Sequence, residues 1–150
     1  MQSENAMRRR WLIWIVIAIL VFAYAYVQQR QVENAAQPVG GETAVLEAFH
    51  AQRSGVVVEV TGRVRRVLDD DREGSRHQRF LIELASGHTL LVSHNIDLAS
   101  RVEDIAVGDD VEARGQYEWN DRGGVLHWTH HDPKGRRPGG WIRHRGATYR

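Results

Sequence analysis

Residues 55–64 read GVVVEVTGRV, and this run sets the architecture that we expect for the whole chain. Successive side chains of a β-strand point to opposite faces, so apolar residues at every second position mark a strand with one buried face. Four valines share that face: Val56, Val58, Val60 and Val64. Gly62 lies among them and would let a long strand bend. The run therefore predicts a long, bent first strand.

Four more strands are predicted downstream from the same alternation and from turn residues at their ends. They cover residues 80–84, 88–93, 111–119 and 125–130, with a short further strand from Trp141 as an alternative to a loop. One or two helical turns over residues 95–101 separate the third strand from the fourth. The order β-β-β-short α-β-β predicts an all-β small barrel that is OB-fold-like. A different small barrel or a sandwich is the alternative.

The first thirty residues have a different character. Residues 11–27 contain no charged side chain and would span about 25 Å as a helix. Arg8, Arg9 and Arg10 precede them, which predicts a single-pass helix in the inner (cytoplasmic) membrane with the rest of the chain outside, in a periplasm if the cell has one. A signal peptide cleaved after Ala25 is the alternative. Alkaline washing of membranes distinguishes the two, because only an anchored chain stays with the lipid.

The predicted organisation has four parts. They are a cytoplasmic N-terminus over residues 1–10, the membrane helix over 11–27, a polar linker over 28–41 and the OB-like domain over 42–150. The domain opens with a short amphipathic helix, because Val45, Leu46 and Phe49 have helical spacing.

Composition excludes several classes of protein. The chain has no cysteine, which rules out disulfides, a thiolate nucleophile, iron–sulfur clusters and cysteine-based zinc sites. The 20 basic and 19 acidic residues give a net charge of +1, which indicates no general attraction to nucleic acid. Function must therefore be sought in local clusters.

One such cluster is predicted at a rim of the barrel, where the end of the first strand, the start of the second and the ends of the third and fifth meet. The polar residues expected there, with Arg79 nearby, are Asp69, Asp70, Asp71, Arg76, His77, His94, Asn95, Asp97, Asp109, Asp110, His130, His131 and Asp132. Imidazoles and carboxylates are the usual ligands of divalent metals where cysteine is absent. We therefore expect His94, His131 and Asp132 to bind a divalent metal, which would be Zn, Mn or Mg.

The other rim residues suit phosphodiester chemistry. Imidazole transfers protons near neutral pH, and guanidinium binds phosphate through two donors. His77 and His130 would be the catalytic groups. The expected substrate-binding residues at the rim are Arg76, Arg79 and Asn95. Ordinary surface positions are expected for three further histidines: His50, His88 and His144. The resulting hypothesis is a membrane-anchored, periplasm-facing, metal-dependent phosphodiesterase, in particular a nuclease.

The aromatic residues favour a second function. Trp119 and Trp141 lie in or beside the last strands, and residues 121–150 carry seven basic side chains against two acidic ones. Aromatic rings beside basic groups hold single-stranded nucleic acid on OB-folds. The alternative is therefore a non-catalytic OB-fold module that binds nucleic acid, a glycan or a protein partner, with Trp119 and Trp141 among its substrate-binding residues. A metal-binding or envelope-stress accessory protein is a third hypothesis.

Three sequence strings point to a known group of proteins. They are RHQRF at residues 76–80, HNIDLA at 94–99 and HWTHHDP at 127–133. With them, residues 55–150 resemble a small family of uncharacterised bacterial proteins, which are short and have an N-terminal membrane segment. The resemblance implies a single domain of this length. It implies no activity and no functional residues.

Overall fold

The computed structural model describes residue 17 and residues 19–26 and 39–150. The chain divides into two units, Met1–Ala35 and Ala36–Arg150. In the first unit, residues 19–26 are helical. Across the described residues, no helix combines the length and the apolar character that crossing a membrane requires. The predicted N-terminus lies outside these residues, and the predicted membrane helix and linker lie partly outside them.

The second unit is mostly β-structure. Its elements in chain order are β1 (Val39–Gly40), α1 (Gly41–His50), β2 (Val56–Asp71), β3 (His77–Glu83), β4 (Thr89–Asn95), β5 (Asp110–Glu118), β6 (Val125–His127), β7 (Trp141–His144) and β8 (Ala147–Tyr149). The short amphipathic helix expected before the first long strand is present as α1. The short strand considered at Trp141 is present as β7, and β8 pairs with it.

Five of the strands form a closed ring, because β2 pairs with both β5 and β3, besides the short β1. The first half of β2, from Val56 to Arg63, lies antiparallel to β5, and its second half, from Arg63 to Asp71, lies antiparallel to β3. The ring runs β2-β3-β4-β6-β5 and returns to β2. The β4–β6 pair is parallel, as the predicted topology required. The prediction of an all-β domain is thus confirmed as a five-stranded ring.

Gly62 lies where β2 changes partners. A Cβ atom there would approach the side chain of Ile82 and the carbonyl oxygen of Glu83 to 3.1 Å. That distance is shorter than an ordinary van der Waals contact, so a larger residue would push β3 away from the bend. The close approach of β2 and β3 therefore depends on a residue without a side chain.

The core fills the inside of the ring with the alternating side chains of its strands. The fully buried apolar residues of the ring include Val58, Val64, Phe80, Ile82, Leu90, Val92 and Leu126. Helix α1 adds Val45 and Ala48 to the same core. The Glu42 carboxylate at the start of α1 accepts hydrogen bonds from the amides of Ala85 and Ser86. This contact fixes the helix to the β3–β4 turn.

The structure corrects one predicted element. The segment that follows β4, expected to form one or two helical turns, is a turn without a helix. The side-chain oxygen of Asn95 accepts a hydrogen bond from the amide of Asp97 at 2.9 Å, and the Asp97 carboxylate accepts from the backbone and side chain of Arg76. These side chains satisfy backbone groups locally and so compete with helical hydrogen bonds.

Two strand ends also differ from the prediction. β2 continues through residues 69–71, which were expected to lie in a loop, because Asp71 still pairs with His77. The fifth strand of the ring ends at His127 and not at His130. Trp128 has a φ of 53°, a left-handed conformation that costs an L-residue about 1–2 kcal/mol and ends the strand.

A buried amide holds the segment between β4 and β5 against the ring. The Gln78 side chain is 2% exposed. Its nitrogen donates to the carbonyl of Val102 at 3.0 Å, and its oxygen accepts from the amide of Val102 at 2.8 Å. Both polar atoms of the side chain are therefore paired with one residue, as buried polar groups require.

We expect Gln78→Leu to lower the free energy of unfolding by about 1–3 kcal/mol, because it leaves two backbone groups of Val102 buried without partners. Urea denaturation followed by circular dichroism measures this loss. Gln116→Leu is the matched control, since Gln116 lies on the outer face and bonds only Glu118 among the described side chains. An equal loss in both variants would contradict the role given to Gln78.

Candidate functional site

His94, the centre of the predicted rim, is fully buried. Its Nε2 lies 3.0 Å from the carbonyl oxygen of Ser100, which can only accept a hydrogen bond, so Nε2 carries the proton. Its Nδ1 accepts from the Thr129 hydroxyl at 2.9 Å. Burial lowers the pKa of His94 below its usual value, which favours the neutral ring. Through its two ring nitrogens, His94 thus joins β4 to the segment before β5 and to the segment after β6.

Asp132 is equally engaged. Its carboxylate accepts hydrogen bonds from the backbone amides of Lys134, Arg136 and Arg137 at 3.0, 2.8 and 2.9 Å. These bonds lower the pKa of Asp132, because they stabilise the charged form. The carboxylate therefore organises the loop over residues 132–137, which carries three basic side chains.

His131 is exposed, whereas His94 is buried, and the three predicted ligands have different surroundings. In the part of the chain that the structure describes, no three histidine, aspartate or glutamate side chains are arranged to hold a metal ion. The one ring-nitrogen lone pair of His94 accepts from Thr129, and both oxygens of Asp132 accept backbone hydrogen bonds. The described residues therefore show no preformed metal centre made by His94, His131 and Asp132.

The two predicted catalytic histidines make hydrogen bonds to carbonyl oxygens close by in the sequence. The Nδ1 of His77 donates to Ser75 at 2.7 Å, and the Nδ1 of His130 donates to His131 at 2.7 Å. His130 is 3% exposed, whereas His77 is half-buried on the outer face of the ring. No described residue hydrogen-bonds the Nε2 atom of His77.

The predicted phosphate-binding arginines differ in their partners. The Arg76 side chain is paired with Asp97 at 2.7 Å, and Asn95 uses its side-chain oxygen in the turn that positions Asp97. Arg79 donates from Nε to the carbonyl oxygen of Asp69 at 3.1 Å. Among the described residues it has no carboxylate partner. Arg79 therefore retains a charge that a ligand can use.

Asp109 does not join the rim with His94. Its carboxylate pairs with His144 at 2.9 Å and with Arg145 at 3.1 Å, at the edge where β7 meets β5. The amide of Ala106, with His144 and Arg145, lowers the pKa of Asp109 to about 2. His144, expected at the surface, is 3% exposed because the pairing of β7 with β5 covers it. This cluster is structural.

Tryptophan and arginine side chains pair twice in the segment after β6. The guanidinium carbon of Arg137 lies 4.2 Å from the ring centre of Trp128, and that of Arg143 lies 4.1 Å from the ring centre of Trp141. Both tryptophans are half-buried. We call these four residues the tryptophan–arginine surface. Each ring is attracted to its cation, which orders both side chains before any ligand arrives.

Gly140 brings the two pairs together. A Cβ atom there would collide with the carbonyl oxygens of Trp128 and Arg114. The amide of Gly140 also donates to the carbonyl oxygen of His130 at 2.9 Å. The chain before Trp141 therefore lies directly against the chain at Trp128. A cavity of about 480 Å³ opens beside Trp141, lined by His131, Gly139, Gly140, Trp141 and Arg150.

Trp119 lies at a different place from Trp141. It packs against the core, and its amide donates to the Ser54 hydroxyl at 2.9 Å. Trp141 pairs in register with Arg114, which is five residues before Trp119 along β5 and its continuation. At a rise of ~3.3 Å per residue, Trp119 lies roughly 16 Å along the strand from Arg114, the residue that pairs with Trp141. The structure thus does not bring the two predicted aromatic residues together.

Sequence reasoning missed the Trp128–Arg137 pair. Trp128 is part of the HWTHHDP string, but the eight residues between it and Arg137 match no helix or strand period. The pair depends on the loop that Asp132 organises. The available signal was Asp132-Pro133 followed by Gly135, which indicates a turn that reverses the chain.

We expect Asp132→Asn to speed amide hydrogen exchange at Lys134, Arg136 and Arg137, because an uncharged amide accepts these three bonds less strongly. Asp121→Asn, in the exposed β5–β6 loop, is the matched control. In the wild type, protection of these amides is expected to be complete above the ordinary aspartate pKa of 3.8. It is lost as the pH falls through the lower pKa of Asp132 in the folded protein. Equal exchange in both variants would contradict the role of Asp132.

Comparison with known proteins gives one family. The model of a family described as "Protein of unknown function (DUF3465)" matches residues 31–150. That range includes every strand of the ring and all of the residues discussed above. No curated protein matches the chain.

Proposed function

The chain belongs to the DUF3465 family of proteins of unknown function, and we propose that it is an OB-fold module that binds single-stranded nucleic acid without cleaving it. The observation that carries this proposal is the tryptophan–arginine surface. In each pair the guanidinium lies over the ring, and such a stack of a cation on an aromatic ring offers a platform for a base and a donor for the adjacent phosphate.

The strand order supports the OB-fold assignment. A ring in the order β2-β3-β4-β6-β5, with β4 and β6 parallel and β2 shared by β3 and β5, is the arrangement expected of a five-stranded Greek-key barrel. Proteins of this type bind oligonucleotides on the outer face of their second and third strands and on adjoining loops. In this chain those strands are β3 and β4.

The charges near the tryptophans favour an anionic ligand. Lys134 and Arg136 have no carboxylate partner among the described residues, and Asp132 is used up by backbone amides of the same loop. Arg143 is shared with Glu112 at 3.2 Å, in an exposed pair that contributes little to stability. The loop therefore presents positive charge beside two aromatic rings.

Metal-dependent phosphodiester cleavage, the competing hypothesis, receives less support from the geometry. It requires a metal with open coordination positions, held by several ligands. His94 uses both nitrogens inside the protein, and Asp132 uses both carboxylate oxygens. A binding module needs neither group to be available.

The location of the module is part of the proposal. A membrane anchor over residues 11–27 would hold the ring outside the cytoplasm. There it would meet nucleic acid or another polyanion on the outer side of the inner membrane.

We expect Trp128→Ala and Trp141→Ala each to weaken binding of a fluorescein-labelled dT12 oligonucleotide by about 5- to 150-fold, because stacking contributes ~1–3 kcal/mol per base. Fluorescence anisotropy of the full-length protein in detergent micelles measures this. Trp119→Phe is the control and should leave affinity unchanged, since Trp119 packs against the core. Binding should also weaken as salt rises.

Three results would overturn the proposal. One is the absence of saturable binding to dT12 by folded protein. Another is an affinity for a neutral or acidic polysaccharide that exceeds the affinity for dT12 and depends on the same tryptophans. The third is cleavage of the oligonucleotide with Mn, Mg or Zn that stops in a chelator and in His131→Ala, which would support the nuclease.

A further inference from the structure

A row of side chains crosses the outer face of the ring from β2 to β5. The register places Leu68 beside Arg79, Arg79 beside Ser93, and Gln116 beside His127. Because Val92 pairs with Leu126 in the parallel β4–β6 ladder, the next residues, Ser93 and His127, are also neighbours. The row therefore joins all five strands of the ring.

Ser93 is the smallest residue in the row and is 8% exposed. The half-buried side chains of Arg79 and His127 stand on either side of it. Two strand spacings, or about 10 Å, separate the Cα atoms of Arg79 and His127. His77 lies two residues from Arg79 on the same face of β3. We call these four residues the Ser93 notch.

Arg79 has no acidic partner among the described residues, in contrast to six other arginines of the domain. Arg63, Arg65, Arg76, Arg101, Arg143 and Arg145 each pair with a carboxylate. Arg79 instead donates its Nε to a backbone carbonyl, that of Asp69. That bond turns Nε toward β2, and no described residue hydrogen-bonds the two terminal nitrogens, which remain for a ligand.

The two histidines of the notch also have unused donors or acceptors. No described residue hydrogen-bonds to the ring of His127, and His77 uses only Nδ1. Burial and the nearby charge of His77 lower the pKa of His127, whereas Glu118 opposes this shift. An anion between the two rings would relieve their repulsion.

We propose that the Ser93 notch binds one phosphate group, with Arg79 as the charged donor and His77 and His127 as additional hydrogen-bonding groups. The identification of that phosphate as part of a nucleic acid strand rests on the function proposed above. His127 is followed directly by Trp128, so a strand with a phosphate in the notch would reach the tryptophan–arginine surface with the next base.

The surrounding carboxylates limit the affinity. Glu118 accepts a hydrogen bond from Gln116, and Asp71, which pairs in register with His77, accepts one from the amide of Glu73. Both remain close to the notch and oppose an anion. For inorganic phosphate alone we therefore expect a dissociation constant that is roughly millimolar.

The first test uses inorganic phosphate and the full chain in detergent micelles. Proton–carbon NMR spectra of the histidine rings should show saturable shifts for His77 and His127 as phosphate is added, with a higher pKa for His127 when it is bound. Arg79→Gln and Ser93→Val should abolish the shifts. Ser93→Val fills the notch without removing charge, and valine is favoured in strands. Arg65→Gln, which removes an arginine paired with Glu83 at 3.2 Å, is the matched control.

The second test identifies the source of the phosphate. Arg79→Gln should reduce the slope of log affinity against log salt for dT12 by about 0.7, the value for one lost contact with a single strand. It should leave the affinity for a methylphosphonate dT12, which lacks backbone charge, unchanged.

The outcomes separate the two proposals. Phosphate shifts in the notch without oligonucleotide binding would retain the notch as a phosphate site and overturn the proposed function. Oligonucleotide binding with no phosphate shifts, or with shifts that persist in both Arg79→Gln and Ser93→Val, would overturn the notch. Equal effects of Arg65→Gln and Arg79→Gln would also overturn it, because they would indicate a general response to charge.

Discussion

The double pairing of β2 is the constraint on which the rest of this structure depends. The strand pairs with β5 up to Arg63 and with β3 from Arg63 onward, and the absence of a side chain at Gly62 lets β3 approach at the bend. This geometry turns five strands into a ring and encloses a core of alternating apolar residues. Each of the five strands of the ring also pairs with a neighbour on both sides over part of its length, which limits the edge available to another chain.

The position of the tryptophan–arginine surface depends on the buried residue His94. This buried imidazole must be hydrogen-bonded on both sides, and it finds its partners in Ser100 and Thr129. Thr129 lies between Trp128 and His130, so its hydrogen bond to His94 fixes the point at which the chain leaves β6. The same bonds that position the tryptophan–arginine surface remove His94 from direct contact with a ligand. We therefore describe His94 as a positioning residue for the proposed binding surface.

Local patterns predicted the strands well, and the reason is geometric. Side chains alternate in every strand, so Val56, Phe80 and Leu90 indicate strands without knowledge of their partners. The topology deduced from that order also identified the parallel neighbours β4 and β6. The turn after β4 was predicted less well. The Asn95 side chain accepts a hydrogen bond from the nearby amide of Asp97, and the Asp97 carboxylate accepts one from Arg76, which lies 21 residues earlier in the chain.

The candidate site was predicted only in part, since topology places backbones together but does not choose partners for side chains. The topology correctly placed His77 beside Asn95. It gave no indication that Asp97 forms an ion pair with Arg76, or that Arg79 has no carboxylate partner among the described residues. The pairing of Arg137 with Trp128 depends on a loop shaped by the carboxylate of Asp132. Distances of a few ångströms decide which side chains pair, and the spacing of residues in the sequence does not give those distances.

By itself, the sequence determined the alternation that builds the ring, the lack of cysteine chemistry and the basic, aromatic character of the last thirty residues. These properties are local or compositional, so they hold whatever the partners are. Only the tertiary structure decided which polar groups are consumed by the fold and which remain available to a ligand. The reason is that a buried donor or acceptor must form a hydrogen bond with whichever group the folded chain brings near. In this protein, His94 and Asp132 form such bonds inside the fold, whereas Arg79 and His127 remain at the surface.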